Sequence, residues 1–302
     1  MNIKIMGMAL GLAALILVTG CGEDHSQSKE NEAEYTASIG EQVDYQIIGI
    51  EPGAGVTKLS KNTLKEYENL KGWELVESST GGMLSSLKQA IQNKEPIIIS
   101  GWTPHWKFFE YDLKILEDPK GVLGGLETIN TLVRKGLEKD LPEAYTILDR
   151  FYWEPKDMEA VMHKAQSSSF EDAAMSWIQE NQDQVDEWTK DVKKVKGKAF
   201  ELVSMPWDSE RASSSVLKIV LEQVGYNVTV TPVDPAIVFQ AIANGEGDAT
   251  VAPWLPSTHG FLYEKVKEDV IDLGANLEGT QVGFVVPAYV EIDSIEELQP
   301  KR

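Results

Sequence analysis

The sequence has few of the residues on which several classes of functional site depend. It contains one cysteine, Cys21, and four histidines in 302 residues. A single cysteine excludes an intramolecular disulfide framework, and scattered histidines do not supply the clustered ligands of a metal site. Neither a Gly-x-Ser-x-Gly segment nor a Gly-Lys-Ser/Thr phosphate loop occurs. We therefore predict no catalytic residues, no metal, no cofactor and no enzymatic activity.

Basic residues are also scarce. The chain has 28 Lys and Arg against 48 Asp and Glu, for a formal net charge of −20. Nucleic-acid binding depends on neutralising phosphates with Lys and Arg, so this balance argues against a nucleic-acid partner. The acidic excess otherwise indicates a well-solvated surface.

Long apolar runs are absent except at the N-terminus. Met6–Val18 follows Lys4 and is too short for a comfortable membrane span, which is typical of a secretory signal peptide. It ends in Val18-Thr19-Gly20-Cys21, which resembles a bacterial lipobox. We predict a signal peptide over 1–20, then a lipidated Cys21 and a flexible tether over 21–44. The protein would be extracytoplasmic and anchored to the cell membrane by Cys21; the alternative is an ordinary signal peptide with a chance cysteine.

The remaining chain contains an internal repeat of strands and helices. The first unit is predicted as strand 45–50, helix 56–69, strand 73–76, helix 82–93 and strand 96–100. The second is predicted as strand 199–205, helix 212–224, strand 226–233, helix 235–244 and strand 248–252. Ala90-Ile91 corresponds to Ala241-Ile242 at an offset of 151, and Trp102-x-Pro104 corresponds to Trp254-x-Pro256 at an offset of 152.

Alternation of strands and helices predicts an α/β protein of two lobes on largely parallel sheets. We assign lobe one to 45–195 and lobe two to 196–302, and expect the tail 282–302 to cross back to lobe one. The segment between the repeats is predicted to be helical over Gly125–Glu138, Pro142–Phe151, Glu159–Ala165 and Phe170–Lys190. Helices within 170–190 are candidates for packing on lobe two. Ligands of such sheets bind at strand ends, so a cleft between the lobes is the expected site.

Three tryptophans follow predicted strands, each beside proline or glycine. They are Trp102, Trp207 and Trp254. Indole faces on rigid strand-end loops attract a cation that is too alkylated to donate hydrogen bonds. Any one of these tryptophans could instead be a packing residue, but three at strand ends of a duplicated unit favour a cation cage. Packing is the expected role of the other five, which are Trp73, Trp106, Trp153, Trp177 and Trp188.

The turn Glu51-Pro52-Gly53-Ala54-Gly55 offers the opposite chemistry. Glycines between a strand and a helix allow close approach of the backbone, and the amides of a helix start are donors to an anion. One carboxylate fits this turn better than a triphosphate, although a plain tight turn remains the alternative. His259 could donate a further hydrogen bond or serve a structural role. Asp208 and Glu210 are expected to form hydrogen bonds within their own loop.

These motifs together resemble those of the glycine betaine-binding proteins of bacterial ABC importers, and among them the OpuAC-type lipoproteins. The quoted segments are Gly49–Gly55, Gly101–Trp106, Trp207–Glu210 and Trp254–His259, and the likeness extends over roughly 45–302. The resemblance implies the two-lobe type II periplasmic-binding-protein fold, with ligand in the interlobe cleft.

By the same resemblance, Trp102, Trp207 and Trp254 hold the trimethylammonium group, and Gly55, Val56 and His259 hold the carboxylate. The implied partners are an ABC permease and ATPase. The implied function is capture of glycine betaine, or of a related quaternary-ammonium or sulfonium osmolyte, for osmoprotection. The alternative is a choline or carnitine receptor with the same cage, and the grip on the carboxylate separates choline from betaine.

Overall fold

The computed structural model describes residues 37–302, and ten strands form its central sheet. The predicted signal peptide, Cys21 and most of the tether lie outside these residues. The strands are β1 (Gln46–Ile48), β2 (Glu74–Val76), β3 (Ile99–Thr103), β4 (Leu113–Ile115), β5 (Leu126–Arg134), β6 (Ala199–Ser204), β7 (Asn227–Pro232), β8 (Ala249–Thr250), β9 (Trp254–Leu255) and β10 (Val270–Pro287).

Twelve α-helices surround the sheet within the same residues, and none is long and apolar enough to cross a membrane. They are α1 (Ile39–Gln42), α2 (Gly55–Glu66), α3 (Thr80–Asn93), α4 (Lys107–Glu110), α5 (Leu137–Asp140), α6 (Pro142–Arg150), α7 (Pro155–Lys164), α8 (Phe170–Glu180), α9 (Gln182–Thr189), α10 (Asp208–Val224), α11 (Pro235–Asn244) and α12 (Gly260–Val266).

The internal repeat is confirmed by the strand order. β1 lies between β2 and β3 and is parallel to both, and β6 lies in the same way between β7 and β8. We call β2-β1-β3 the first half-sheet and β7-β6-β8 the second half-sheet. Each is built from a strand-helix-strand-helix-strand unit, which is the two-lobe α/β class expected from the sequence.

Two long antiparallel strands join the half-sheets. β10 pairs with β3 of the first half-sheet and with β5, and β5 pairs in turn with β8 and β9. The predicted helix over Gly125–Glu138 is therefore wrong, since most of it is β5. This strand contains the β-branched residues Thr128, Ile129, Thr131 and Val133, which favour strands. The strand is further stabilised by pairing with β10 on one side and with β8 and β9 on the other.

Helix α10, which follows β6 in the second repeat, packs into the core. Ala212, Val216 and Val220 recur at helical spacing and are fully buried, so one face of the helix packs into the core. The helix ends at Gly225, whose φ of 112° is left-handed and favours glycine at this position. Its first residue, Asp208, directly follows Trp207. The core packing of α10 therefore fixes where Trp207 and the first helical turn lie.

Two segments outside the repeats pack against the half of the protein that is more distant in the chain. Helices α7 and α8, which precede β6, pack against α10. Beyond β10, the indole Nε1 of Trp73 donates to the carbonyl oxygen of Gln299 at 2.8 Å, and the Asn69 amide donates to the carbonyl of Ile295 at 2.7 Å. Contacts group Ala37–Arg302 as one unit, so the lobe boundary at 195/196 stays a prediction.

Candidate functional site

One cavity lies where the ends of the two half-sheets meet. Its empty volume, which includes space open to solvent, is about 320 Å³. All six residues predicted to bind ligand line it: Gly55, Val56, Trp102, Trp207, Trp254 and His259. The other lining residues are Ile50, Ala54, Ser209, Glu210, Thr258 and Val282. Tertiary structure thus brings together strand ends that are up to about 200 residues apart in the chain.

The Gly-rich turn delivers the start of α2 to this cavity. Ala54 is the N-cap residue and its side chain forms no capping hydrogen bond, and Gly55 and Val56 are the first two helical residues. Amides in the first turn of a helix have no intrahelical acceptor, and the helix dipole adds a partial positive charge there. The arrangement suits an anion or a carboxylate oxygen.

Trp102 forms the wall from the first half-sheet. It lies in β3 opposite Val282 of β10 and is 5% exposed. The fully buried Lys107 donates from Nζ to the Trp102 carbonyl oxygen at 2.9 Å, and the same Nζ lies 4.5 Å from the indole centroid. Burial lowers the pKa of Lys107 well below its ordinary value, although Asp208 and Glu159 act in the opposite direction. The His105 ring packs edge-on against the indole at 5.0 Å, so Trp102 has little rotational freedom.

Trp207, which precedes α10, and Trp254, which lies in β9, each donate their indole N–H to a carboxylate. Trp207 Nε1 lies 3.1 Å from Glu51 Oε2, and Trp254 Nε1 lies 2.8 Å from Glu210 Oε1. Glu51 also accepts two hydrogen bonds from Thr80, each of 2.8 Å. Burial acts to raise the pKa of Glu51, but the hydrogen bonds from Thr80 and Trp207 outweigh it and the pKa is lowered. Both indole planes are consequently fixed at the cavity wall.

His259 presents an unused donor in the cavity lining. Its Nδ1 accepts the backbone N–H of Trp254 at 2.9 Å, so the proton of the neutral ring is on Nε2. Nε2 is buried and has no hydrogen-bond partner among the described residues. An unsatisfied buried donor costs ~1–3 kcal/mol, which a ligand acceptor would recover. Burial lowers the pKa of His259 to about 3, so the ring is a neutral donor at physiological pH.

Acid should destabilise the protein in part through His259. Between its ordinary pKa of 6.5 and its folded pKa of about 3, the unfolded chain binds a proton that the folded chain does not. Stability from this group is therefore complete above pH 6.5 and is lost as pH falls towards 3. We expect the wild type to lose ~2 kcal/mol more than His259→Gln between about pH 7.5 and about pH 5. Urea unfolding at both values measures this, and equal losses would contradict the assignment.

The sequence did not identify the carboxylates that hold the cavity tryptophans in place. Glu210 does accept the hydroxyl of its neighbour Ser209, as predicted, but Asp208 and Glu210 lie in the first turn of α10 and not in a loop, since this helix begins four residues earlier than predicted. Asp208 accepts the indole N–H of Trp106 at 2.9 Å, a tryptophan assigned to packing. The only sequence signal for Glu51 was its place in the Gly-rich turn, and for Glu210 its nearness to Trp207.

The loop that carries His259 is held by a carboxylate of β5. Glu127 accepts hydrogen bonds from the backbone N–H of Ser257 at 2.5 Å and of Thr258 at 2.8 Å, and also from the Thr258 hydroxyl. Residues 37–302 contain no group of three or more His, Cys, Asp or Glu placed to hold a metal ion. The described cavity therefore combines aromatic faces, backbone donors and one imidazole donor.

Comparison with known proteins agrees with this chemistry. Residues 25–180 and 199–302 match the family described as the substrate binding domain of ABC-type glycine betaine transport system. The chain is 43% identical over 267 residues to the glycine betaine/carnitine transport binding protein GbuC of Listeria monocytogenes serotype 1/2a (strain 10403S). That alignment covers 87% of this chain and 89% of GbuC.

Two solved structures give partial matches. Lactococcal OpuAC, in its closed conformation with glycine betaine, is 54% identical with a TM-score of 0.49, over 50% of this chain and 59% of that chain. An ABC-transporter choline binding protein in complex with choline is 24% identical with a TM-score of 0.44, over 62% of this chain and 61% of that chain. Both matches span less than two thirds of the solved chains.

Proposed function

This chain belongs to the family of substrate-binding domains of ABC-type glycine betaine transport systems, and from that membership we propose that it captures glycine betaine for uptake. Related quaternary-ammonium or sulfonium solutes belong to the same proposal. The physiological role would be osmoprotection, since such solutes are compatible osmolytes.

The observation that carries the proposal is the meeting of three indoles in one cavity. Trp102 comes from β3 of the first half-sheet, Trp207 from the start of α10 and Trp254 from β9. A trimethylammonium group has no N–H to donate, so it gains little from polar acceptors and much from desolvated π-faces, at up to ~2 kcal/mol for each face. The cage is suited to that group and disfavours a primary ammonium, which retains strong hydration.

The carboxylate end of the ligand has its own donors in the same cavity. The first-turn amides of Gly55 and Val56 and the Nε2–H of His259 lie in the lining. Hydrogen bonds to a charged acceptor contribute ~1.5–3 kcal/mol each. We propose that these three donors hold the carboxylate and thereby distinguish betaine from choline, which has none.

Hydrogen bonds across the cleft support a closing motion around the ligand. Trp106 precedes α4 beside the first half-sheet and donates to Asp208 at the start of α10. Trp207 at the start of α10 donates to Glu51 beyond β1. We propose that both bonds form when the halves close on ligand and break when they open, as in hinged binding proteins.

The protein would work as one component of a membrane transport assembly. A substrate-binding protein of an ABC importer delivers its ligand to a permease driven by an ATPase, and we propose both as partners. We also propose that the chain acts outside the cytoplasm and is anchored through lipid on Cys21. Its task would be binding and release without catalysis.

Carnitine is the second candidate ligand, because GbuC carries carnitine as well as glycine betaine in its name. Carnitine has both a trimethylammonium and a carboxylate, so the same two sets of donors could hold it. Choline shares only the cation.

Calorimetric titration of the purified full-length chain with glycine betaine, carnitine, choline and glycine tests the proposal. We expect a dissociation constant for betaine in the micromolar range, ~8 kcal/mol, weaker binding of choline, and no heat with glycine. Quenching or shift of tryptophan fluorescence should accompany binding. No binding heat with betaine, carnitine or choline would contradict the proposed function. Tighter binding of carnitine than of betaine would reassign the substrate.

A further inference from the structure

Glu210 is a buried carboxylate in the lining of the cavity. It lies in the first turn of α10, three residues after Trp207, and is 3% exposed. Carboxylates are seldom so fully buried unless a charge partner compensates for lost hydration. A positively charged partner is therefore expected near Glu210, beside the aromatic cage.

The hydrogen bonds of Glu210 are made with neutral groups. Oε1 accepts the indole N–H of Trp254 at 2.8 Å, and Oε2 accepts the hydroxyl of Ser209 at 2.7 Å. No ion pair joins Glu210 to a lysine, arginine or histidine within residues 37–302. The protein itself thus orients this carboxylate without supplying a counter-charge for it.

Burial of Glu210 favours the protonated form of its carboxyl group. Burial raises the pKa of Glu210 to about 7, with Asp208 adding to the effect, while hydrogen bonds from Ser209 and Trp254 oppose it. Without a cation in the cavity, the carboxyl group therefore binds a proton more readily at neutral pH than an exposed glutamate does. A cation placed in the lining of the same cavity would favour the ionised state.

We propose that Glu210 is a specificity-determining residue whose carboxylate takes the bound cation as its counter-charge. This inference rests on the proposed function, since it concerns how the same cavity selects its ligand. Glu210 acts in two ways. It adds a negative charge to the cavity wall, and through its hydrogen bond it polarises the Trp254 indole, which makes the ring face more attractive to a cation.

This role goes beyond the shape of the cage. The three indole faces attract a cation, but they also accept an uncharged tert-butyl group of the same size, because both groups bury similar apolar area. A charge in the wall distinguishes the two, since a buried carboxylate attracts the cation and gains nothing from its carbon isostere. Glu210 thus adds a full negative charge to the weaker cation preference of the indole faces.

Other ionisable groups surround the same cavity and come from several elements. Asp208 is on α10, His259 precedes α12 in the lining, Glu51 bonds the Trp207 wall from the turn after β1, and Lys107 lies against Trp102 from α4. An effect of pH on binding is therefore assigned to Glu210 only as the difference between the wild type and a variant that lacks this one titrating group.

The test compares glycine betaine with the tert-butylacetate anion, its neutral-headed carbon isostere, on wild type and Glu210→Gln. Glutamine keeps an oxygen acceptor for Trp254 and removes the charge. We expect betaine affinity to fall about tenfold while tert-butylacetate affinity stays within about twofold. Glu222→Gln is the matched control, because it removes an exposed carboxylate from the same helix, and it should change neither affinity.

A second measurement follows the pH dependence of betaine binding in the wild type and in Glu210→Gln. Betaine affinity of the wild type should fall several-fold as pH decreases from about 8 to about 6, because protonation of Glu210 then competes with cation binding. Glu210→Gln should show a flatter profile. An unchanged ratio of betaine to isostere affinity in the variant, or identical pH profiles, would overturn the inference. Failure of wild type to bind betaine at any pH would instead contradict the proposed function.

Discussion

Gly55→Ala should lower betaine affinity on the order of 100-fold while each half of the protein still folds. A Cβ at residue 55 would overlap the Thr258 carbonyl oxygen and would meet the Thr258 methyl carbon at 2.5 Å. Gly55 starts α2 beside the first half-sheet, and Thr258 follows β9 beside the second. Hydrogen bonds to Glu127 hold the Thr258 backbone in place. Because overpacking costs ~1–3 kcal/mol or more, the cleft should close poorly on ligand.

Gly53→Ala is the matched control, because a Cβ at residue 53 meets no atom within 4 Å. Both substitutions add one methyl group to the same Gly-rich turn, so they share any effect on chain stiffness. Calorimetric titration and thermal unfolding of both variants separate binding from folding. Equal betaine affinities for the two variants would show that the approach of Gly55 to Thr258 does not govern binding.

Trp254→Ala should reduce betaine affinity about 30-fold or more, as expected for losing one desolvated face of ~2 kcal/mol. The substitution also removes the N–H that Glu210 accepts and leaves a cavity, so the melting temperature should fall as well. Loss of a buried tryptophan costs ~3–5 kcal/mol in many cores. Trp102→Ala and Trp207→Ala should each lose at least about tenfold in affinity, because each also removes one indole face from the cation.

Trp73→Ala separates the loss of betaine affinity from the loss of thermal stability. Trp73 is buried at 6% exposure, packs edge-on against Tyr45 and does not line the cavity. Its removal should lower thermal stability to a similar extent but leave betaine affinity within about twofold. If two of the three cavity tryptophans could be replaced by alanine at full affinity, the cage would have no role in binding.

Much of the fold followed from local pattern. The repeated strand-helix order predicted two parallel units, and both half-sheets have the central strand flanked by its two successors. Parallel strands buried on both faces read as apolar runs, which made them visible. The error at Gly125–Glu138 has a different origin. β5 is a strand because β10 lies on one side and β8 and β9 on the other, and such long-range pairing leaves little trace in periodicity.

The sequence by itself placed side chains at strand ends, and with the family resemblance it predicted that six residues share one cavity, which all six line: Gly55, Val56, Trp102, Trp207, Trp254 and His259. Strand ends of parallel sheets meet at one edge whatever the details of packing. Only the tertiary structure decided which carboxylate holds which indole. Glu51 and Trp207 are 156 residues apart, and Glu210 and Trp254 are 44 apart. Those pairs depend on the rotation of α10 and the approach of the two half-sheets, and neither quantity is encoded in the neighbouring residues.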